Sequence, residues 1–247
     1  MIRNLLIAVL LVGSSLWNEA FCQGPIAVLG SDSPYPYWIN LPDAYGTDST
    51  YKWPVIVFLH GRSLSGTDLK LVKRYGVIAE VLKGRSFPAI IVAPQVPMRT
   101  AWNPDSVVKC LWLATKEFNF DSSRISITGM SLGGYGTLTT AGKFPEVFAS
   151  AAAFCGGGST KDGCNLSKIP VWIAHGKRDE AVPFSESQKI VNAIQKCGDE
   201  NLRFTVFESA NHGALERMFR TSELYDFLLT NSKGNPTYFP EFSKQSL

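Results

Sequence analysis

The sequence predicts an α/β protein, built on a mostly parallel, twisted sheet with helices on both faces. Three observations carry this. Short runs of consecutive apolar, often β-branched residues recur along the chain without the polar alternation of strands that face water on one side. Segments of helical spacing lie between those runs, so strand and helix alternate. A chain of 247 residues suits one domain of this class.

Taken in order, the first element is aromatic and extended. Residues 35–40, introduced by Pro34 and Pro36, read as an early antiparallel strand that begins at a sheet edge. Pro54 then opens Val55-Ile56-Val57-Phe58-Leu59, apolar at every position, as a strand buried on both faces must be. Helical segments follow over residues 67–75 and 77–83, and residues 89–93 form the next strand. Residues 105–119 make a helix with Val108, Leu111, Trp112 and Phe118 on its apolar face. Residues 125–128 are a strand and 132–143 a helix. Further strands are expected at 148–154, 170–174 and 202–207, with helices at 185–196 and 215–229. About fifteen residues separate Cys155 from Pro170, so no large cap domain fits there and an open site is expected.

Composition narrows the function classes. Hydrophobic residues make up 45% and charged residues 18%, enough for a large core and too apolar for disorder. A net charge of +3 with no Lys/Arg run gives nucleic acid nothing to bind. The first residues read as a signal peptide: Arg3 is the positive end, and the apolar stretch at 5–12 is too short to span a bilayer. Cleavage after Cys22 leaves 23–247 as a single domain, with its core at about 35–230 and a polar tail at 231–247. A lipid anchor at Cys22 is disfavoured by the bulky Phe21 before it, so the product is expected to be secreted or periplasmic. Four cysteines then remain, and an oxidising compartment permits disulfides. Cys155 and Cys164, which bracket a Gly-rich loop, are the expected pair, and Cys110 is expected as a buried thiol.

Chemistry concentrates in Gly129-Met130-Ser131-Leu132-Gly133, set between the strand at 125–128 and the helix at 132–143. This is a nucleophile elbow, in which a serine on a sharp strand-to-helix turn needs glycine on either side. Serine needs a base, and the chain has three histidines. His212, in a loop just after the last strand, sits where open α/β sheets place their ligands. His60 and His175 each end a buried strand, a setting that suits structural hydrogen bonds. Asp179, in the loop after the penultimate strand, is the expected acid partner, ahead of Glu180 and Glu208. The oxyanion hole is expected from the backbone N–H groups of Leu132 and Arg62, with Ser63 as the fallback. Trp102 and Gln95 are weaker candidates for the substrate pocket.

Leu59-His60-Gly61-Arg62, Gly129-Met130-Ser131-Leu132-Gly133-Gly134, His175-Gly176-Lys177-Arg178-Asp179 and Asn211-His212-Gly213 together resemble the α/β-hydrolase superfamily. Within it the chain resembles compact secreted esterases: the polyhydroxybutyrate-depolymerase-like, feruloyl and acetylxylan esterase-like and dienelactone-hydrolase-like groups. The resemblance implies the α/β-hydrolase fold, the triad Ser131, Asp179 and His212, no cofactor, and no metal. It implies hydrolysis of a small-molecule or polysaccharide-linked ester through an acyl-enzyme, with plant cell-wall esters (acetyl or feruloyl) as the first expectation. A serine peptidase, a lipase or polyester hydrolase of the same fold, and a non-catalytic carbohydrate-binding protein are the alternatives. Peptidases of this superfamily usually carry an additional domain, lipases a cap, and a binding protein has no need of a full triad.

Overall fold

The structure, a computed structural model, describes residues 24–30, 32–235 and 239. Eight strands among them form one sheet: β1 (Ile26–Val28), β2 (Tyr37–Asn40), β3 (Trp53–Leu59), β4 (Ile90–Pro94), β5 (Phe120–Met130), β6 (Ser150–Phe154), β7 (Val171–Gly176) and β8 (Leu202–Phe207). Their order is β1-β2-β4-β3-β5-β6-β7-β8. The strands from β4 to β8 run parallel, and β1 and β2 are antiparallel additions at one end. The expected α/β class with a mostly parallel sheet is what the chain adopts.

Helices cover both faces: α1 (Val77–Leu82), α2 (Pro104–Thr115), α3 (Leu132–Lys143), α4 (Gly163–Leu166), α5 (Phe184–Gln195) and α6 (Ser222–Thr230). Strand β3 shows how one sequence feeds two cores. Val55, Val57 and Leu59 point into a cluster with Val108, Leu111, Leu138 and Ile190 of α2, α3 and α5. Ile56 and Phe58 point into the other, with Ile78 of α1 and Leu224 of α6. Burial on both faces is why this strand lacks polar alternation. Helix α2 starts with proline, and the Asn103 side chain accepts the Ser106 N–H at 3.1 Å, closing its first turn.

Register brings the carboxyl ends of the strands level. Leu59 pairs with Gly129, Met130 with Phe154, Phe154 with Ala174, and Gly176 with Phe207. The loops that leave this edge carry His60, Ser131, Asp179 and His212. Between β6 and β7 lie only a 3-10 turn (Thr160–Asp162) and α4, so no large cap is built there.

Several expectations are corrected. Strand β2 does not lie at the sheet edge, because the three-residue β1 pairs outside it. The closing helix is broken: a 3-10 helix (Gly213–Arg220) precedes α6, and Thr221 between them is extended, at φ −83° and ψ 141°. The segment near 67–75 is likewise 3-10, over Leu69–Lys73. The disulfide joins Cys164 to Cys197, with Cα atoms 5.1 Å apart, and not to Cys155. Cys164 lies in α4, which packs on α5, and Cys197 follows the end of α5; Cys155, directly after β6, is a buried free thiol, and so is Cys110 in α2. The leader expected at 1–22 lies outside the described residues, as does most of the tail. The tail's first residues lie on the sheet, where the Lys233 N–H donates to the Ser123 carbonyl at 2.9 Å. Among the described residues no helix is long and apolar enough to cross a membrane.

Candidate active site

Ser131 stands between β5 and α3 at φ 60° and ψ −122°, a conformation L side chains rarely adopt. Close packing around it holds the turn. A side chain on Gly133 would overlap the Leu59 carbonyl, and one on Gly129 would come within 2.5 Å of the carbonyl oxygens of Gly133 and Leu59. The Ser131 N–H donates to the Phe154 carbonyl at 2.8 Å, tying the elbow to β6.

The loops after β7 and β8 are stitched together. The Lys177 N–H donates to the Phe207 carbonyl and the Arg178 N–H to the Ala210 carbonyl, at 2.9 and 3.1 Å. This juxtaposes Asp179 and His212, whose Nδ1 lies 2.6 Å from Asp179 Oδ2. An ionised carboxylate only accepts, so Nδ1 carries the proton and Nε2 keeps a lone pair. Asp179 Oδ1 accepts the N–H groups of Ala181 and Val182 at 2.9 and 2.8 Å. Burial would raise the Asp179 pKa, but the Val182 N–H, the His212 ring and the Cys155 thiol outweigh it and hold the carboxyl below the usual range. The other acids lie elsewhere: Glu180 is exposed, and Glu208 pairs with Lys177 at 2.9 Å.

Ser131 and His212 line one cleft of about 1030 Å³, together with Gly61, Arg62, Ser63, Leu132 and Trp102. Arg62 begins a 3-10 helix and Leu132 begins α3, positions whose N–H groups have no acceptor inside their own helix. Gly61 brings the first of these loops against the serine: a Cβ there would lie 3.3 Å from Ser131 Cβ. The Tyr75 hydroxyl accepts the Gly61 N–H at 2.7 Å and fixes that approach.

Trp102 borders the cleft but is 5% exposed, and its Nε1–H donates to the His60 carbonyl at 3.2 Å. Gln95 does not reach the cleft. It is fully buried, and its amide donates to the carbonyls of Leu64 and Asp68 at 2.8 Å each, bracing the Arg62 loop from below. His60 is also fully buried. Its Nε2 accepts the Val96 N–H at 3.2 Å, which puts the ring proton on Nδ1, 2.7 Å from the Gly61 carbonyl. Burial pushes its pKa down to about 4.

Sequence reasoning missed Tyr75, Tyr135 and the surroundings of Asp179. Tyr135 had a readable signal, since it lies four residues after Ser131 and hence one turn along α3. Its hydroxyl donates to Glu186 at 3.1 Å. Around Asp179, the ligating atoms of Cys155, His175 and Asp179 all lie within 4.8 Å of one another. Burial, then the Asp179 charge, pushes the Cys155 thiol up, so the sulfur stays protonated, and its S–H donates to the His212 carbonyl at 4.0 Å.

The profile of the dienelactone hydrolase family matches residues 98–225, just over half of the chain. The probable acetylxylan esterase A of Aspergillus flavus is 35% identical over 65 residues, which are 26% of this chain and 20% of that one. The acetylxylan esterase A of Aspergillus oryzae matches to the same extent, so the similarity spans about a fifth of the curated relatives' length. Among solved structures, a thermostable esterase superposes with a TM-score of 0.74 at 29% identity, over 86% of this chain and 64% of that one. The feruloyl esterase module of Clostridium thermocellum, in complex with sinapinate, superposes at 0.63 and 15% identity over 85% and 89%, a likeness of fold alone.

Proposed function

The chain belongs to the dienelactone hydrolase family, and from that premise we propose that it is a serine carboxylic-ester hydrolase acting through an acyl-enzyme. One observation carries this reading: Asp179 is bonded to His212 at 2.6 Å, and His212 shares a cleft with a serine held at φ 60° on a strand-to-helix elbow.

His212 Nε2 takes the Ser131 hydroxyl proton as Oγ attacks the ester carbonyl. The Leu132 and Arg62 N–H groups donate to the developing oxyanion, each such donor being worth about 10²–10³ in rate. Asp179 stays ionised and stabilises the imidazolium. The tetrahedral adduct collapses, and the departing alkoxide takes the proton from His212. Water, deprotonated by His212, then attacks the acyl-serine, releases the acid and restores Ser131.

The substrates we infer are acetyl or feruloyl esters of plant cell-wall polysaccharides. The partial likeness to acetylxylan esterases supports this, as does a cleft lined by the half-buried Tyr135, whose ring suits a sugar or phenolic face. The apolar leader at 1–22 supports export, and so does the Cys164–Cys197 bridge, a bond that persists in oxidising compartments.

A fluorophosphonate probe tests nucleophile and base together. Labelling is expected for the wild type and lost in Ser131→Ala and His212→Ala. Assays on acetyl and feruloyl model esters identify the acyl group. Equal inertness of wild type and Ser131→Ala on all of these would sink the esterase reading.

A further inference from the structure

The reading above uses His212 and leaves a second imidazole beside the same carboxylate unexplained. His175, at the end of β7, is fully buried. Its Nε2 lies 3.0 Å from the Val182 carbonyl oxygen and 3.3 Å from Asp179 Oδ2. Both are acceptors, so a lone pair on Nε2 would face two negative atoms, and that nitrogen must carry hydrogen. Its Nδ1 lies 2.7 Å from Ser187 Oγ, which fixes the ring from behind. Phe184 packs edge-on against the ring at 5.7 Å, so the imidazole has little freedom to turn.

Around Asp179 the donors are then complete. A carboxylate offers about four lone-pair sites. Oδ1 receives the N–H groups of Ala181 and Val182 and Oδ2 receives His212 Nδ1–H, while His175 Nε2–H, whose bond goes to the Val182 carbonyl at 3.0 Å, makes a second, longer contact with Oδ2 at 3.3 Å. The Cys155 thiol adds a weaker contact. The backbone pair pins only Oδ1. With Oδ1 as the anchored point, the carboxylate can still tilt about it, and a contact on Oδ2 resists the tilt that would shift the His212 bond.

We propose that His175 is a positioning residue for the reaction: its Nε2–H holds Asp179 Oδ2 in the orientation that aims His212 at Ser131. The role rests on the serine-hydrolase reading and acts through Asp179, without contact to substrate. A structural role alone would need only the bonds to Val182 and Ser187. The positioning role needs the Asp179 contact, and side-chain amides separate the two. Gln at 175 places its amide nitrogen near the Nε2 position and can donate to Asp179. Asn, one bond shorter, reaches only the Nδ1 position beside Ser187.

The test is steady-state turnover of an aryl ester by wild type, His175→Gln and His175→Asn, with denaturant unfolding of each. Loss of a partner that orients a catalytic group lowers activity about 10–100-fold. That fall is expected in kcat for His175→Asn at unchanged KM, with His175→Gln restoring turnover to within about threefold of wild type. Equal kcat for the two variants, a higher value for Asn, or a change confined to KM would overturn the positioning role. Unfolding midpoints that track kcat would also overturn it. Fluorophosphonate labelling keeps the two readings apart. Wild type that does not label at Ser131 brings down the hydrolase reading itself. Labelled wild type with indistinguishable Gln and Asn variants removes only His175.

Discussion

His60 and His175 occupy matching places and do opposite things. Each stands at the carboxyl end of a strand buried on both faces, each precedes a glycine, and each is wholly buried. Yet the ring proton sits on Nδ1 in His60, because the Val96 N–H donates to Nε2. In His175 it sits on Nε2, because a carbonyl and a carboxylate face that atom. The first braces the Gly61 loop beside Arg62, and the second lies 3.3 Å from Asp179. A strand-end histidine is therefore given its task by the next loop, which brings either a backbone donor or an acid.

The largest break in this comparison comes from removing the acid. Asp179→Asn keeps the shape but offers His212 an amide where it needs a charge, and kcat is expected to fall about 10³–10⁴-fold with KM little changed. Steady-state kinetics on an aryl ester checks this, and turnover within tenfold of wild type would leave the acid side without its role.

A smaller effect is a pH dependence of stability from His60. Its folded pKa, about 4, lies below the ordinary 6.5, so the unfolded chain binds a proton first as pH falls. Stability is lost from about pH 6.5 down to the folded value, by about 3 kcal/mol in all. Asp179 acts in the same sense but at lower pH: its depressed pKa gives stability that is present above the ordinary carboxylate value and lost as pH falls through the folded one. Urea unfolding at pH 7 and pH 4 is expected to show a smaller drop in His60→Phe than in wild type, although that variant is less stable at both. Equal drops would mean that His60 titrates as it does in water.

The smallest effect is Trp102→Phe, which removes the Nε1–H bond to the His60 carbonyl. A loss of about 1 kcal/mol in unfolding free energy is expected, with kcat within a few-fold of wild type. A loss of turnover comparable to that of Asp179→Asn would place Trp102 in the chemistry instead of beside it.

What could be read from the sequence was what local sterics and burial impose. Continuous apolar runs marked the buried strands, and glycines two residues to either side of Ser131 marked a turn in which helix and strand nearly touch. Helix α3 accordingly runs over the expected residues. Strand β1 left no signal, since three residues are too few for a period to show. The disulfide was misassigned because chain spacing says nothing of direction: Cys155, nine residues from Cys164, follows an interior strand, while Cys197 arrives from across a helix. Gln95 was given a place in the cleft because it follows a strand, but its partners, Leu64 and Asp68, come from a distant segment. His175 was read as structural because it ends a buried strand; the turn after β7, which brings Asp179 Oδ2 within 3.3 Å of the ring, could not be read from the sequence.

The Cys164–Cys197 bridge joins residues 33 apart, and that stretch holds β7, His175, Asp179 and α5, but neither Ser131 nor His212. A cross-link of that span removes about 4 kcal/mol worth of unfolded-chain entropy, all of it from one arm of the molecule. The elbow forms from contacts of its own, whereas the arm that delivers the carboxylate has its slack taken in by a covalent knot. The consequence falls on the unfolded chain: reducing the bridge is expected to lower stability, while the hydrogen bonds of Lys177, Arg178, Ala181 and Val182 keep Asp179 beside His212 in the folded form.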